Sequence, residues 1–160
     1  MDPSSPVTPR PAAAIVLLRA NEGGGVEVFM VRRHVRNEFA PDVFVFPGGT
    51  VKADDRQIEL DPALCAAVGP GATTLGSGYR AAAVRECFEE AGVLLASVAG
   101  HALALGPGTA ERFATYREEL QAKARDLASV LRLEGLTLAT DGLVHWAHWI
   151  TPEESPLRYD

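Results

Sequence analysis

The spacing of apolar residues along the chain predicts a mixture of strands and helices. Three early runs rich in β-branched and aromatic residues are typical of β-strands: AAAIVLLR at 12–19, VEVFMVRR at 26–33 and VFVFPGGTV at 43–51. The glycine-rich ANEGGG between the first two predicts a hairpin, because glycine adopts the positive φ angles of tight turns. Towards the end, the alternating segment LVHWAHWI at 143–150 predicts a further strand.

Apolar residues three and four positions apart predict helices between these strands. A short helix is expected around residues 61–68 and another at 78–91. A longer helical stretch is expected at 110–133, with a break near residue 125. Strands interleaved with helices in this way favour an α/β fold.

The helix expected at 78–91 has two contrasting faces. Ser77 is its expected N-cap and Gly92 its expected C-terminal stop. One face is apolar and carries Val84, Cys87, Phe88 and Ala91. The opposite face carries three carboxylates, those of Glu86, Glu89 and Glu90.

Three carboxylates this close on a helix repel one another, by roughly 0.2–0.5 kcal/mol for each pair. Water can absorb that cost on a solvated acidic face, which is the usual meaning of a glutamate cluster. A bound cation is the other explanation, because Mg²⁺ commonly takes a few carboxylates together with substrate phosphates. Taken alone, the cluster favours the solvated face.

Composition narrows the classes of function. The 160 residues suit one domain, and 47% hydrophobic with 22% charged residues is ordinary for a globular protein. The net charge of −6 and the lack of a Lys/Arg-rich run argue against nucleic acid or an anionic membrane as partner. No apolar run approaches the roughly 20 residues of a membrane span. Two cysteines argue against a disulfide framework, and we expect a soluble, cytoplasmic protein.

A resemblance to a known family emerges from one short window and the residues before it. RECFEEAGV at 85–93 follows Gly48, Gly49 and Asp55. Together they resemble the Nudix hydrolases, whose signature is G-x5-E-x7-R-E-U-x-E-E-x-G-U with U apolar. The window fits every specified position of the second half, with Cys87 and Val93 as the apolar residues. Because of this resemblance, we prefer a bound cation to a solvated acidic face as the explanation of the glutamate cluster.

The resemblance implies a Nudix fold, an α/β/α sandwich with a mixed central sheet. We expect this domain to cover residues 12–160, after a proline-rich and disordered N-terminus at 1–11. The segment PLRYD at the end of the chain reads as the start of another strand. Because relatives generally continue there, we expect a C-terminal edge that is truncated or completed in a homodimer, with activity below that of longer relatives.

Two departures from the signature matter. Asp55 stands where the family has Glu, and 29 residues (56–84) separate it from Arg85 where the pattern has seven. An interrupted signature resembles a subgroup that includes diphosphatases acting on coenzyme A and its esters. RNEFAPDVFVFPGG and HWITPEESPLRYD also resemble stretches of that subgroup. We expect the extra residues at the rim of the cleft, where they would read the non-nucleotide part of the substrate.

The resemblance also implies a metal centre and a supporting shell. The ligands of Mg²⁺ or Mn²⁺ would be Glu86, Glu89, Glu90 and the backbone carbonyl of Gly48. Arg85 would pair with Asp55 or an adjacent glutamate and so orient the ligands. Gly49 would serve the turn before this site, and Gly92 the end of the helix.

The implied reaction is attack of water on a phosphorus of a diphosphate linkage in a nucleoside diphosphate derivative. Metal ions polarise phosphoryl oxygens and lower the pKa of bound water. The proton would pass to Glu86 or Glu89, and the sequence does not choose between them. Arg32 and Arg33 are candidates for binding a substrate phosphate, although surface arginines at a strand edge are an equal alternative.

A second class of function stays open at this point. The chain could be a weakly active or inactive Nudix domain that binds a nucleotide-like ligand and regulates another process. All three glutamates favour an enzyme, because a binder has no physical need for the full set. Among the remaining candidates, we expect Cys87, Trp146 and Trp149 to be packing residues, although one of the two tryptophan rings could stack on a base.

Overall fold

The computed structural model of the chain describes residues 7–33, 42–69 and 75–160. The strands within these ranges are β1 (Ala12–Ala14), β2 (Leu17–Ala20), β3 (Val26–Phe29), β4 (Val31–Arg32), β5 (Phe44–Val45), β6 (Gly48–Thr50), β7 (Ala96–Val98), β8 (His101–Ala102) and β9 (Leu136–Leu138). The helices are α1 (Ala53–Leu60), α2 (Tyr79–Ala91), α3 (Pro107–Gln121) and α4 (Leu127–Glu134), followed by a 3₁₀ turn at Thr140–Gly142. The mixture of strands and helices confirms the α/β class.

The strands pair in small antiparallel ladders. β1 pairs with β6, β2 with β3, β4 with β5, and β7 lies between β8 and β9. The hairpin predicted between the first two runs is present as β2–β3. Its turn is held by the Asn21 side chain, which accepts hydrogen bonds from the amides of Gly23 (3.0 Å) and Gly25 (2.8 Å). Each predicted run is nevertheless divided into two short strands, so pairing changes partner along it.

Helix α2 lies at the centre of the fold. It packs against β1 and β6 on one side and against α1 and α3 on others. The predicted apolar stripe is buried at Val84, Cys87 and Phe88. The helix ends as predicted at Gly92, whose φ of 73° is costly for residues with a side chain, and whose amide bonds the Phe88 carbonyl.

The start of α2 differs from the prediction. The N-cap is Gly78 and makes no side-chain cap, so the expectation for Ser77 is wrong. The Glu59 carboxylate at the end of α1 instead accepts hydrogen bonds from the backbone amides of Arg80 (3.2 Å) and Ala81 (3.5 Å). A tertiary contact therefore replaces the local cap, because an anion from a neighbouring helix satisfies the free amides and the dipole equally well.

The short helix expected at 61–68 is also misplaced. The helix is α1, which begins eight residues earlier at Ala53, and Asp61 is its C-cap. Beyond it, Cys65 forms a parallel bridge with Leu138, and Ala66 donates its amide to the Leu138 carbonyl at 3.0 Å. Pairing with β9 holds this apolar segment in an extended conformation. The periodicity of its own sequence does not predict that conformation.

The inserted segment contributes to the core. Ile58, Leu64 and Cys65 are buried and join the main hydrophobic cluster with Val84 and Phe88 of α2. The expectation that the extra residues lie at the rim of the cleft is therefore wrong for these positions, because their apolar side chains are part of the main hydrophobic core. Residues 70–74 of the insertion lie outside the described part of the chain.

The segment at 143–150 is not a strand in the structure, which corrects another prediction. It follows the 3₁₀ turn and pairs with no strand in the described ranges. Trp146 and Trp149 are 88% and 83% exposed, so the expectation that they pack in the core is wrong. Alternation of apolar and polar residues is insufficient here because no neighbouring strand edge supplies the backbone partners.

The two ends of the described chain lie together. Arg10 and Tyr159 form a parallel bridge, and the amide of Ala12 donates to the Asp160 carbonyl at 2.7 Å. The segment PLRYD, which was predicted to begin a further strand, thus forms a single β-bridge in the described part of the chain. The start of the chain, expected to be disordered over 1–11, is placed from Val7 onward, and residues 1–6 fall outside the described ranges. In those ranges no helix combines the length and apolarity of a membrane span.

The long helical stretch breaks where predicted, between α3 and α4. Asp126 caps α4 by accepting the amide of Ser129 at 2.7 Å. The two helices are joined at their other ends by Glu134, which accepts hydrogen bonds from Arg112 (2.8 and 2.9 Å) and from the Tyr116 hydroxyl (2.7 Å). The hydrogen bond from Arg112 and then that from Tyr116 lower the pKa of Glu134.

This lowered pKa predicts a pH-dependent contribution to stability. A carboxylate with a depressed folded-state pKa stabilises the fold above its unfolded pKa, and the benefit is lost as pH falls through the folded value. Glu134→Gln should lower the unfolding midpoint at pH 7, and the difference from the parent should shrink in acid. Thermal unfolding between pH 7 and pH 3 measures this. Glu118→Gln, at an exposed position of α3, is the control; an equal effect of both variants would contradict the assignment.

Candidate active site

The three carboxylates of α2 line the side of the helix beside β6. Glu86 and Glu89 are half-buried, and Glu90 is the more exposed. The Glu86 carboxylate lies directly against the backbone of Gly49: a Cβ added there would be 2.4 Å from Glu86 Oε1. Gly49 is thus required for close approach of a carboxylate to the strand, a more specific role than the turn that the sequence suggested.

Arg85 connects two of the three carboxylates to the buried Asp55. Its guanidinium is buried and forms a bidentate pair with Asp55, Nε to Oδ1 at 2.8 Å and Nη2 to Oδ2 at 2.9 Å. Nη1 also donates to Oε1 of Glu86 at 2.6 Å and to Oε1 of Glu89 at 3.1 Å. Both predicted partners, Asp55 and an adjacent glutamate, are therefore present at once.

The surroundings of Arg85 stabilise the charged form of its guanidinium group. Burial lowers the pKa of Arg85, but the hydrogen bonds and charge of Asp55, followed by the charge of Glu86, outweigh it and raise the pKa above its ordinary value. Nη2 also donates to the Thr50 carbonyl of β6 at 3.0 Å. The guanidinium therefore ties α1, α2 and β6 to one point.

Asp55 is fully buried, although it is a charged residue in the first turn of α1. Besides the two bonds from Arg85, its Oδ2 accepts the amide of Lys52 at 2.7 Å. The shorter side chain that departs from the family signature thus still reaches Arg85, because α1 brings its own N-terminus against α2. A buried carboxylate of this kind needs each of these partners.

Glu90 faces the loop that enters β6. Its Oε2 accepts the amide of Gly48 at 3.1 Å. Burial raises the pKa of Glu90, and the Gly48 amide opposes the shift; the charge of Glu86 raises the pKa further and that of Arg33 lowers it. The contact with Gly48 that the structure displays runs through its amide, whereas the sequence predicted a role for its carbonyl.

The two arginines proposed for substrate phosphate separate in the structure. Arg33 is close enough to act electrostatically on Glu90. Arg32, one position earlier at the end of β4, instead pairs with Asp42 at 2.7 Å. Successive residues of an extended chain point to opposite sides, so only one of the two faces the carboxylates.

Helix α3 supplies contacts that the sequence did not reveal. Arg117 donates to the backbone carbonyls of Glu89 (2.9 Å) and Glu90 (2.8 Å), and Gln121 donates to that of Glu89 (2.5 Å). These side chains satisfy the last carbonyls of α2 and place a cation at its negative end. Their spacing of four residues indicates a shared helix face, but no local signal indicates what that face contacts.

The donor set suits a hard divalent cation in its chemistry. Hydrogen bonds among described residues engage Oε1 of Glu86, Oε1 of Glu89 and Oε2 of Glu90. The other oxygen of each carboxylate has no such bond there, and carboxylate oxygens are the ligands that Mg²⁺ and Mn²⁺ take. The described residues do not yet gather three His, Cys, Asp or Glu side chains tightly around one point. The free oxygens could nevertheless turn toward an ion.

Cys87 lies on the opposite side of α2 and is fully buried, as expected of a packing residue. Burial, followed by the charge of Glu90, raises the pKa of its thiol to about 11. A thiol in this state is a poor nucleophile.

Comparison with known proteins identifies the family of the chain. The model of the NUDIX domain matches residues 8–159. The chain is 31% identical over 150 residues to "Putative nudix hydrolase 7" of Caenorhabditis elegans, covering 94% of this chain and 41% of that protein. It is 28% identical to "Acyl-coenzyme A diphosphatase NUDT19" of Gallus gallus, over 88% of this chain and 49% of that protein. The corresponding protein of Xenopus laevis is 23% identical, over 82% and 43%.

Among solved structures, the chain is similar to the crystal structure of a NUDIX hydrolase from Alicyclobacillus acidocaldarius. The TM-score is 0.76 and the identity 26%, covering 96% of this chain and 67% of that one. The chain spans less than half the length of the curated relatives it matches. The match of the domain model over nearly all of the chain, together with a relative at 31% identity, shows that the chain belongs to the Nudix family and has its fold.

Proposed function

We propose that this chain hydrolyses a diphosphate linkage in a nucleoside diphosphate derivative with the help of Mg²⁺ or Mn²⁺. The observation that carries the proposal is the buried Asp55–Arg85 pair, which holds Glu86 and Glu89 side by side on α2. Family membership supports hydrolysis of small diphosphate compounds. A buried ion pair that supports two half-buried carboxylates is costly for a site without a function.

In this proposal Glu86, Glu89 and Glu90 hold the ion, with the Gly48 carbonyl as a further ligand. A bound divalent ion would polarise the phosphoryl oxygens and acidify a water molecule. Arg85 keeps Glu86 and Glu89 in place through its Nη1 bonds, while Arg117 and Gln121 keep the last turn of α2 from fraying. Arg33 is positioned to meet a substrate phosphate near Glu90.

The proton of the attacking water needs an acceptor. Glu86 and Glu89 each keep Oε2 without a hydrogen bond among the described residues, so either can serve as general base. Comparing Glu86→Gln with Glu89→Gln in single-turnover experiments at saturating metal separates them, since only loss of the base reduces the rate after metal occupancy is restored.

For the substrate we propose coenzyme A-like compounds ahead of nucleoside triphosphates. Two of the relatives are named acyl-coenzyme A diphosphatases, at 23% and 28% identity. The insertion between Asp55 and Arg85 supports the same subgroup, although its described part serves the core. We further propose that the protein acts in the cytoplasm; a homodimer completed at the C-terminal edge stays a prediction.

The first prediction concerns metal binding. Calorimetric titration with Mn²⁺ should show binding that Glu89→Gln or Glu90→Gln weakens at least tenfold, because each substitution removes a charged oxygen ligand. Glu118→Gln removes the same charge from an exposed position of α3 and should bind as the parent does. Unchanged affinity in the first two variants would refute the metal assignment.

A second prediction tests the approach of Glu86 to the strand. In Gly49→Ala the new methyl group would meet the Glu86 carboxylate, which is the flexible end of a side chain and can move aside. The variant should fold with little change in unfolding midpoint, yet bind Mn²⁺ more weakly, by several-fold. Gly108→Ala adds a methyl group that meets nothing within 4 Å and serves as the control. Equal Mn²⁺ affinity in both variants would contradict the role of Gly49.

A third prediction concerns the reaction itself. Incubation with Mg²⁺ and a panel of coenzyme A, acyl-coenzyme A, nucleotide-sugar and nucleoside triphosphate compounds should give phosphate-ester products from the first three classes before the last. Turnover should stop on addition of a chelator and return with excess Mn²⁺. Tight binding of a panel member without any turnover, in protein saturated with metal, would instead support the regulatory alternative.

A further inference from the structure

A cavity of about 470 Å³ lies next to the candidate metal ligands, between the start of α1 and the turn that joins α3 to α4. It is lined on one side by Arg85 and Glu89 of α2, and on the other by Lys123 and Leu127. We call it the lysine cavity, because Lys52 and Lys123 both line it and are the two lysines of the whole chain. Its volume falls in the range of small-molecule sites.

Lys123 has an unusual backbone. Its φ is 58°, in the left-handed region that glycine and asparagine occupy far more readily than lysine. The residue is exposed, and its ammonium group has no hydrogen bond or ion pair among the described residues. This backbone conformation carries a cost, and it stands at a position where a long cationic side chain lines the cavity.

The other charged groups of the cavity are largely committed to each other. Asp55 is paired with Arg85, Arg125 with Glu119 at 2.5 Å, and Asp126 with the Ser129 amide. The two remaining carboxylates of the lining are those of Asp54 and Glu89, and Glu89 is shared between Arg85 and Lys52. Lys52 Nζ lies 3.6 Å from Glu89 Oε1, beyond a normal hydrogen bond.

Asp54 is exposed in the first turn of α1. The N-termini of α1 and α4 both border the cavity. Their partial positive charge offsets part of the negative charge of the carboxylates in its lining.

We propose that the lysine cavity binds phosphoryl groups of the substrate, with Lys123 and Lys52 as the anion-binding side chains. The inference rests on the proposed function, and it adds a subsite next to Glu89 whose two lysines the family signature does not specify. Ammonium groups bind phosphate as mobile point charges, so two of them across a small cavity suit a ligand whose phosphates are not held in one rigid geometry.

Equilibrium binding of inorganic diphosphate tests the subsite without any turnover. Titration at low ionic strength with a chelator present should show binding to the parent that Lys123→Gln weakens at least fivefold and the Lys52→Gln/Lys123→Gln double variant abolishes. Lys123→Arg keeps the charge and should bind within twofold of the parent. Arg132→Gln removes an exposed cation of α4 that does not line the cavity and should leave binding unchanged.

Lys123→Gly separates binding from folding. Glycine relieves the positive φ, so the unfolding midpoint should equal or exceed that of the parent while diphosphate binding falls as in Lys123→Gln. Labelling with an amine-specific reagent gives an independent readout: diphosphate should protect Lys52 and Lys123 from modification, as measured on their peptides by mass spectrometry, and sulfate at equal ionic strength should protect them less.

The outcomes distinguish this inference from the proposed function. Diphosphate binding that depends on Lys123, in a protein that hydrolyses no member of the substrate panel, would support the subsite and overturn the hydrolase. An active enzyme in which Lys123→Gln changes neither the diphosphate affinity, nor the protection of Lys52, nor the KM would overturn the subsite and leave the hydrolase standing.

Discussion

The buried pair of Asp55 and Arg85 is the contact on which the candidate site depends. Arg85 brings together the first turn of α1, the carboxylate face of α2 and the carbonyl of Thr50 at the end of β6. Losing Arg85 would leave the buried Asp55 carboxylate without its cation, which in proteins generally costs about 3–5 kcal/mol. Because the same guanidinium also holds Glu86 and Glu89, stability and ligand orientation rest on one residue.

Around this pair, α2 is held at both ends by side chains from other helices. Glu59 of α1 accepts the first amides of α2, and Arg117 and Gln121 of α3 donate to its last carbonyls. A helix end normally satisfies these groups with its own caps or with water. Tertiary caps fix the axial position of the helix as well, so the carboxylates are placed relative to β6 and to the lysine cavity with little freedom.

The insertion has a double role in this arrangement. Its first residues complete α1, the helix that carries Asp55 of the ion pair and Ile58 of the core. The part after α1 adds Leu64 and Cys65, which are buried beside β9 and pair with it at Leu138. The fold tolerates this interruption of the family signature because the added residues bury their own apolar side chains. Asp55 still reaches Arg85 because α1 packs against α2, so a short loop between the two residues is not needed.

Local sequence determined the parts of this protein that depend on near neighbours. The nine residues RECFEEAGV indicated the family, the carboxylate face and the Gly92 stop, and the hairpin and the break between α3 and α4 followed from turn and capping residues. The pairing of Arg85 with Asp55 was accessible too, since opposite charges in a known pattern imply contact.

Only the tertiary structure decided what depends on distant partners. The cap by Glu59 and the contacts of Arg117 and Gln121 join positions far apart in sequence, and so does the cavity that Lys52 and Lys123 both line. The segment at 143–150 likewise depends on distant partners, and it finds no strand among the described residues. Periodicity tells which face of an element is apolar, but it contains no information on which other element satisfies its backbone or shares its cavity, because those choices are made by packing of the whole chain.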